Sequence, residues 1–369
     1  MTGSVPQILV SVSPGERRTA LLRDGVLEEA WVERPARPDG VGDLHLGRVT
    51  ARVPALSGVF VALADGESGF LPDAQGGAGL SEGDHRPVRV LRAAQGGKGP
   101  RLDTKVPDGL PRAGPVRLLA RGPTAPLRLA RAYPQATLRC DDGREVAALR
   151  AALDPSRPVL LPGPAFDDAT EAAFDALASP EVPLPGGGRL LIHPTPALVA
   201  IDVDSGSAAG RGEGAHRRLN EAALAEAARQ IRLRRLAGPI LIDLAGMAAT
   251  ARAGFLPALR AAARPDPLLR ILGTTALGLI ETVRTRVHPP LHEVLGFPPS
   301  PLTQGLAALR RAGREAAARP GARLALRAHP HVLAALRALS GALEEAGNAL
   351  ALRPDPALAP GQEVIEDAA

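Results

Sequence analysis

The chain has 369 residues, of which 45% are hydrophobic and 22% charged, with a formal net charge of +5 and a pI near 10.4. This is enough chain to bury a large core and exceeds one average domain, so globular folding is expected. The single cysteine, Cys140, excludes a disulfide within the chain and a multi-cysteine zinc site.

The 40 glycines and 37 prolines are spread among loops and not massed in one tract. Positive charge is almost all arginine; Lys98 and Lys105 are the only lysines. The modest basic excess suits a polyanion partner and equally suits a mildly basic surface. The opening MTGSVPQILVSVSPGE lacks a basic region followed by a long apolar core. No segment offers about eighteen uninterrupted apolar residues. A cytoplasmic protein without a membrane partner is expected.

Residues 5–34 contain three short apolar runs, QILVSVS, TALLRDG and EEAWVER, with Asp24-Gly25 between the second and third. They read as three strands joined by turns. Residues 35–42 read as a linker. In residues 43–105 the segments DLHLGRVTARV, GVFVALADG, GFLPD and RPVRVLRAA are punctuated by Gly, Asp and Pro. That is the rhythm of a five-stranded OB barrel. Phe60 and Phe70 lie on successive strands of it, in a chain with only six Phe, one Trp and one Tyr. The pair fits a base-stacking platform, and its spacing alone fits a core pair as well. Residues 106–196 are mixed. PVRLLARGP and ATLRCDDG read as strands, residues 145–153 and 168–177 as helices, and residues 183–188 as a turn into the strand RLLIH.

Two segments carry the chemistry: ALVAIDVDSG over 197–206 and GPILIDL over 238–244. Each is an apolar run ending in aspartate. In the first, Val199, Ile201 and Val203 alternate with Asp202 and Asp204. In the second, Ile240, Leu241 and Ile242 are continuous, as in a buried strand. Between them Leu219, Ala223, Ala227 and Ile231 recur every four residues, with Leu224 and Ala228 beside them. They form one apolar face of a helix, which Gly238 and Pro239 should end. A right-handed strand–helix–strand unit places Asp202 and Asp243 at the carboxyl edge of neighbouring strands of a parallel sheet. Two carboxylates there would seat a divalent metal; for isolated aspartates, capping or solvation is the alternative. His216 and His288 read as incidental loop histidines. LLRILGT, from Leu268, reads as a further strand and residues 277–287 as a helix after it. From residue 301, an alanine-rich helix, the strand ARLALRAHP, a helix over 333–347 and the strand ALALRP make a small β-α-β unit. Only the last ten residues are candidates for disorder.

In order and spacing, ALVAIDVDSG, NEAALAEAARQIRLRRLAGPILIDLAGM and GLIETVRTR resemble the catalytic core of the ribonuclease E/G family. VGDLHLGRVTARVPALSGVFVALADGESGFLPD resembles that family's RNA-binding OB module, and GGKGPRLDTKV its closing element. RAHPHVLAAL with RPDPALAPGQ resembles its small C-terminal domain. The likeness implies a multidomain α+β/α/β fold. Its parts would be an RNase H-like subdomain (1–38 and 106–196, with a reduced sensor region) and an inserted OB-fold β-barrel (39–105). A DNase I-like α/β catalytic subdomain (197–300) and a small C-terminal β-α-β domain (301–369) would follow.

The resemblance also implies an endoribonuclease that hydrolyses single-stranded RNA with Mg²⁺, leaving 5′-phosphate and 3′-hydroxyl ends. Asp202 and Asp243 would hold the metal. Phe60, Phe70 and Lys98 would hold RNA. Arg284 and Arg286 match the family's paired arginines and would stabilise charge in the transition state. The chain departs from the family in three ways. Asp204 stands where the family usually has Asn; it keeps an oxygen beside the metal and adds negative charge. The paired-cysteine zinc link is missing, so a homo-oligomer would not be bridged by zinc. No RTAG-like segment is found, so the pocket for a 5′-monophosphate is expected to be reduced or missing. Two other readings stand beside the endoribonuclease. One is an RNA-binding protein that kept the fold and lost efficient cleavage, favoured by Asp204 and the truncated sensor. The other is a DNA nuclease on the same metal site.

Overall fold

A computed structural model describes residues 5–206, 213–347 and 350–368. Ala349, the first residue of the ALALRP segment, lies outside the described residues. The chain is mixed α/β and divides into two units: residues 38–124 with 286–289, and the remainder. Among the described residues no helix is long and apolar enough to cross a membrane.

The larger unit opens with β1 (Gln7–Ser13), β2 (Glu16–Arg23) and β3 (Val26–Glu33), an antiparallel meander. Asp24 and Gly25 both take positive φ, 52° and 74°, between β2 and β3. A two-residue hairpin that follows strand twist requires that geometry.

The smaller unit is a barrel. Its strands are β4 (Leu44–Val53), β5 (Gly58–Ala62), β6 (Ser68–Pro72), β7 (His85–Arg92) and β8 (Arg101–Asp103). They bond in the order β5-β6-β8-β7-β4, and β4 pairs back onto β5, so the five strands close. A sixth strand, β9 (Arg117–Ala120), lies along β4. Alternation drives closure: Val59, Val61, Leu71, Val88, Val90 and Leu102 point inward and are buried. Gly69 permits it, because a Cβ there would lie 2.7 Å from Leu102 Cδ1.

Back in the larger unit, β10 (Thr137–Cys140) joins β1 in parallel and β11 (Pro158–Leu160) joins β10. The helix Asp168–Ala176 carries Glu171, whose carboxylate takes both Nη atoms of Arg18 at 2.8 and 2.6 Å. Arg314 pairs with the same group, and Arg310 lies 4.0 Å away. Burial alone would push the Glu171 carboxyl up, but Arg18, with Arg314 and Arg310 behind it, holds it below the usual range. Its stabilisation is therefore fully present above the unfolded carboxyl pKa, about 4.3, and is lost as pH falls through the lower folded value. Glu171→Gln is expected to cost about 3 kcal/mol at pH 7. Melting curves should show that difference shrinking as the pH drops below the carboxylate range.

The central sheet contains β12 (Glu181–Pro183), β13 (Arg189–Pro194), β14 (Val199–Asp204), β15 (Gly238–Asp243), β16 (Leu269–Thr274) and β17 (Ile280–Arg284). Its order is β12-β13-β14-β15-β17-β16. Only β14 and β15 are parallel; the other pairs are antiparallel. The sheet is thus mixed, where the sequence pattern predicts a parallel one. The stretch 277–287 predicted as helix contains the strand β17. The helix Glu213–Leu233 makes the β14–β15 crossover. Leu219, Ala223, Leu224, Ala227, Ala228 and Ile231 bury its stripe against the sheet, as their spacing predicts.

That helix stops before Gly238. Arg235 takes the left-handed conformation, φ 51°, the Leu236 amide donates to the Ile231 carbonyl at 3.0 Å and that of Arg235 to Arg232 at 3.1 Å. This is a Schellman end closed by an arginine. Its strain is offset by the guanidinium, which donates to the Ala30 carbonyl at 2.6 Å and stacks on Trp31 at 4.4 Å.

The C-terminal sheet is β18 (Leu324–Ala328), β19 (Leu350–Pro354) and β20 (Val364–Asp367), in the order β19-β18-β20. The last ten residues therefore contain a paired strand, which satisfies backbone groups along one edge of β18.

Candidate active site

The parallel register pairs Asp202 with Asp243 directly. Ile201 and Val203 on β14, and Ile240 and Ile242 on β15, point into the core. Alternation therefore turns both carboxylates to the opposite face, on strands about 4.8 Å apart. Partial burial, then the charges of Asp243 and Asp204, raise the Asp202 carboxyl above the usual range. The loop after Asp243 is fixed by Asn220, which is fully buried. Its Nδ2 donates to the Ala245 carbonyl at 2.9 Å and its Oδ1 accepts from the Ala245 amide at 3.1 Å. Gly246, φ 63°, follows with His216 packed on it; a Cβ there would lie 2.7 Å from the imidazole.

Asp243 has a partner that the sequence did not reveal. Arg252 Nη1 donates to its Oδ1, with the arginine side chain 14% exposed and the aspartate 48%. Arg252 Nε also donates to the Met247 carbonyl at 3.1 Å.

Asp204 is engaged elsewhere. One oxygen accepts from Arg189 Nε at 2.9 Å and the other from the Gly206 amide at 2.9 Å. The Gly206 hydrogen bond, then Arg189, hold its carboxyl below the usual range. Arg189 also meets Glu181 at 3.0 Å.

Arg284 is not brought to the carboxylates. β17 runs against β15 so that Arg284 faces Gly238, at the far end of the strand from Asp243. Five residues of strand separate those ends by about 16 Å. Arg284 is buried and bonded to Asp266 at 2.7 Å. The expected transition-state arginine is thus placed in a buried ion pair, away from Asp202 and Asp243. Arg286 belongs to the barrel unit, where its Nη2 donates to the Ala94 carbonyl at 3.0 Å. His288 is bonded to Asp39 at 2.6 Å within the same unit.

Among the described residues, no group of three or more His, Cys, Asp or Glu is arranged to hold a metal. Asp202 and Asp243 are two adjacent carboxylates. That donor set fits Mg²⁺, which takes one or two carboxylates and fills its octahedron with water and phosphate oxygens. The Asp202 carboxyl, raised by partial burial and then by Asp243 and Asp204, fits a cation there as well.

On the barrel, Phe60 and Phe70 are cross-strand partners. Their ring centroids are 5.5 Å apart at 61°. Both are half-buried, while Val59, Val61 and Leu71 beside them are buried. The rings therefore lie on the outer face, not in the core. The same level continues through Arg101, the partner of Phe70, to Arg92, the partner of Arg101. Burial, then Arg101 and Arg286, lower the Arg92 guanidinium pKa, so the three cations stand close together. Lys98 is exposed at the β7–β8 turn, where its backbone bonds Gln95 in both directions at 2.9 Å. Only barrel closure aligns Arg92 and Arg101 with the phenylalanines, so spacing in the sequence could not reveal them.

Residues 164–287 match the model of the Ribonuclease E/G family. Ribonuclease E of Nostoc sp. is 39% identical over 133 residues, 34% of this chain and 19% of that protein. The chloroplastic ribonuclease E/G-like protein of Arabidopsis thaliana is 35% identical over 134 residues, covering 35% and 13%. Ribonuclease G of Escherichia coli K12 is 30% identical over 120 residues, covering 27% and 24%. The matched segments thus span less than a quarter of each relative's length.

Proposed function

We propose that this chain is an endoribonuclease that hydrolyses single-stranded RNA with Mg²⁺ to 5′-phosphate and 3′-hydroxyl ends. The observation that carries this reading is the register of Asp202 against Asp243 on adjacent parallel strands, inside the segment that matches the ribonuclease E/G family.

Asp202 and Asp243 would hold Mg²⁺ between them. When bound, Mg²⁺ supplies polarisation of the phosphoryl oxygens and acidification of water. Asn220 and the Gly246 turn keep the Asp243 loop in place, which limits reorganisation during reaction. Asp204, paired with Arg189, shapes the potential at Asp202. The barrel, read as an OB fold, would hold the strand: bases on Phe60 and Phe70, phosphates on Arg92, Arg101 and Lys98.

An RNA-binding protein with weak cleavage is the second reading, favoured by the arginine already on Asp243. One assay separates the two. A labelled single-stranded RNA is incubated with the full chain in Mg²⁺ and in EDTA. Cleavage in Mg²⁺ and none in EDTA supports the enzyme; binding without cleavage in either supports the second reading.

A further inference from the structure

We propose that Arg252 is a phosphate-binding catalytic residue of this site, held in reserve on Asp243 until metal and substrate arrive. The inference rests on the hydrolytic reading of the Asp202–Asp243 pair.

The chain places Arg252 with care. The helix Ala249–Arg252 follows the Asp243 loop within nine residues. Gly278, φ 85°, opens the turn after β16 so that the arginine stem can pass; a Cβ there would lie 3.2 Å from Arg252 Cδ and 2.7 Å from Ala249 Cα. The Met247 carbonyl holds Nε, which orients the guanidinium plane. With Nε and Nη1 so used, Nη2 has no acceptor among the described residues. A planar cation with donors left over is suited to a phosphate's nonbridging oxygens.

Charge favours the exchange. Asp202, Asp243 and Arg252 together carry one net negative charge, which repels RNA. A divalent cation between the carboxylates turns this to one net positive charge, the complement of a phosphodiester. Asp204 does not alter the balance, because Arg189 already neutralises it. Arg252 therefore competes with the metal for Asp243 and, once released, sits beside the bond to be cut. A purely structural arginine would do neither.

The two roles predict changes of opposite sign. In Arg252→Gln, Mn²⁺ binding measured by calorimetry on the full chain should tighten at least about threefold. Single-turnover cleavage of a labelled RNA in saturating Mg²⁺ should fall about 30-fold, roughly 2 kcal/mol, with the KM within about threefold. Arg252→Lys keeps the charge without the fork and should restore wild-type Mn²⁺ affinity but less than a tenth of the lost rate. Unchanged or weaker Mn²⁺ binding in a folded Arg252→Gln variant would overturn the proposal, as would cleavage within threefold of wild type. If Arg252→Gln does not fold, Arg252→Lys decides: recovery of the full rate contradicts a need for the guanidinium. Should the wild-type chain cleave no RNA at all, the hydrolytic reading fails by itself, and Arg252 falls with it as a catalytic residue. The Mn²⁺ titration would still show whether it competes for Asp243.

Discussion

Replacing Asp202 or Asp243 by asparagine is expected to lower RNA cleavage to below about a thousandth of wild type, roughly 4 kcal/mol. Asparagine keeps the shape and removes the anionic oxygen that a hard divalent cation requires. RNA affinity should stay within about threefold, since removing negative charge does not weaken a polyanion complex. The two variants should differ in stability. The raised Asp202 carboxyl means that its ionised form is disfavoured in the fold, so Asp202→Asn should melt slightly higher than wild type at pH 7. Asp243→Asn loses the Arg252 ion pair and should show no such gain. Wild-type cleavage by either variant would remove that residue from the metal site.

The second large effect concerns the barrel. Phe60→Ala or Phe70→Ala should weaken single-stranded RNA binding by about 1–3 kcal/mol, the usual worth of one base stacked on an aromatic ring. Melting temperature should hardly change, because neither ring belongs to the barrel's buried cluster. A melting curve run beside the binding titration checks both statements. Collapse of the fold would mean that the two rings hold the barrel together, and unchanged RNA binding would place the strand elsewhere.

Much of the site was legible before any coordinates because its elements obey simple periods. The four-residue recurrence from Leu219 to Ile231 defines the crossover helix, and the period of two in β14 fixes which way Asp202 points. The barrel strands follow for the same reason. The reading of 277–287 as helix failed because β17 turns polar groups inward. Thr282 is buried and donates to the Ile240 carbonyl at 3.1 Å, and Arg284 is buried against Asp266. With two of three inward positions polar, apolar alternation vanishes from the sequence.

Several arginines are buried, against the usual association of charge with exposure. Arg234 is buried and bonded to Gln230 and Ser179, and burial pushes its pKa down to about 10. Arg235 closes the helix on Trp31. Arg234 and Arg235, in the IRLRRLAG segment that carries part of the resemblance to ribonucleases E and G, thus bind the end of the crossover helix to its neighbours. Arg252, which meets Asp243, stands in an alanine-rich stretch with no pattern around it. Its role is visible only once the turn at Gly278 is folded against it.

The most direct measurement of the central claim is the identity of the product ends when the full chain acts on a single-stranded RNA in Mg²⁺. A carboxylate-held metal that activates water predicts 5′-phosphate and 3′-hydroxyl ends, formed in Mg²⁺, absent in EDTA and absent with Asp202→Asn. Ends carrying 2′,3′-cyclic phosphate and 5′-hydroxyl, or cleavage undiminished in EDTA, would contradict it.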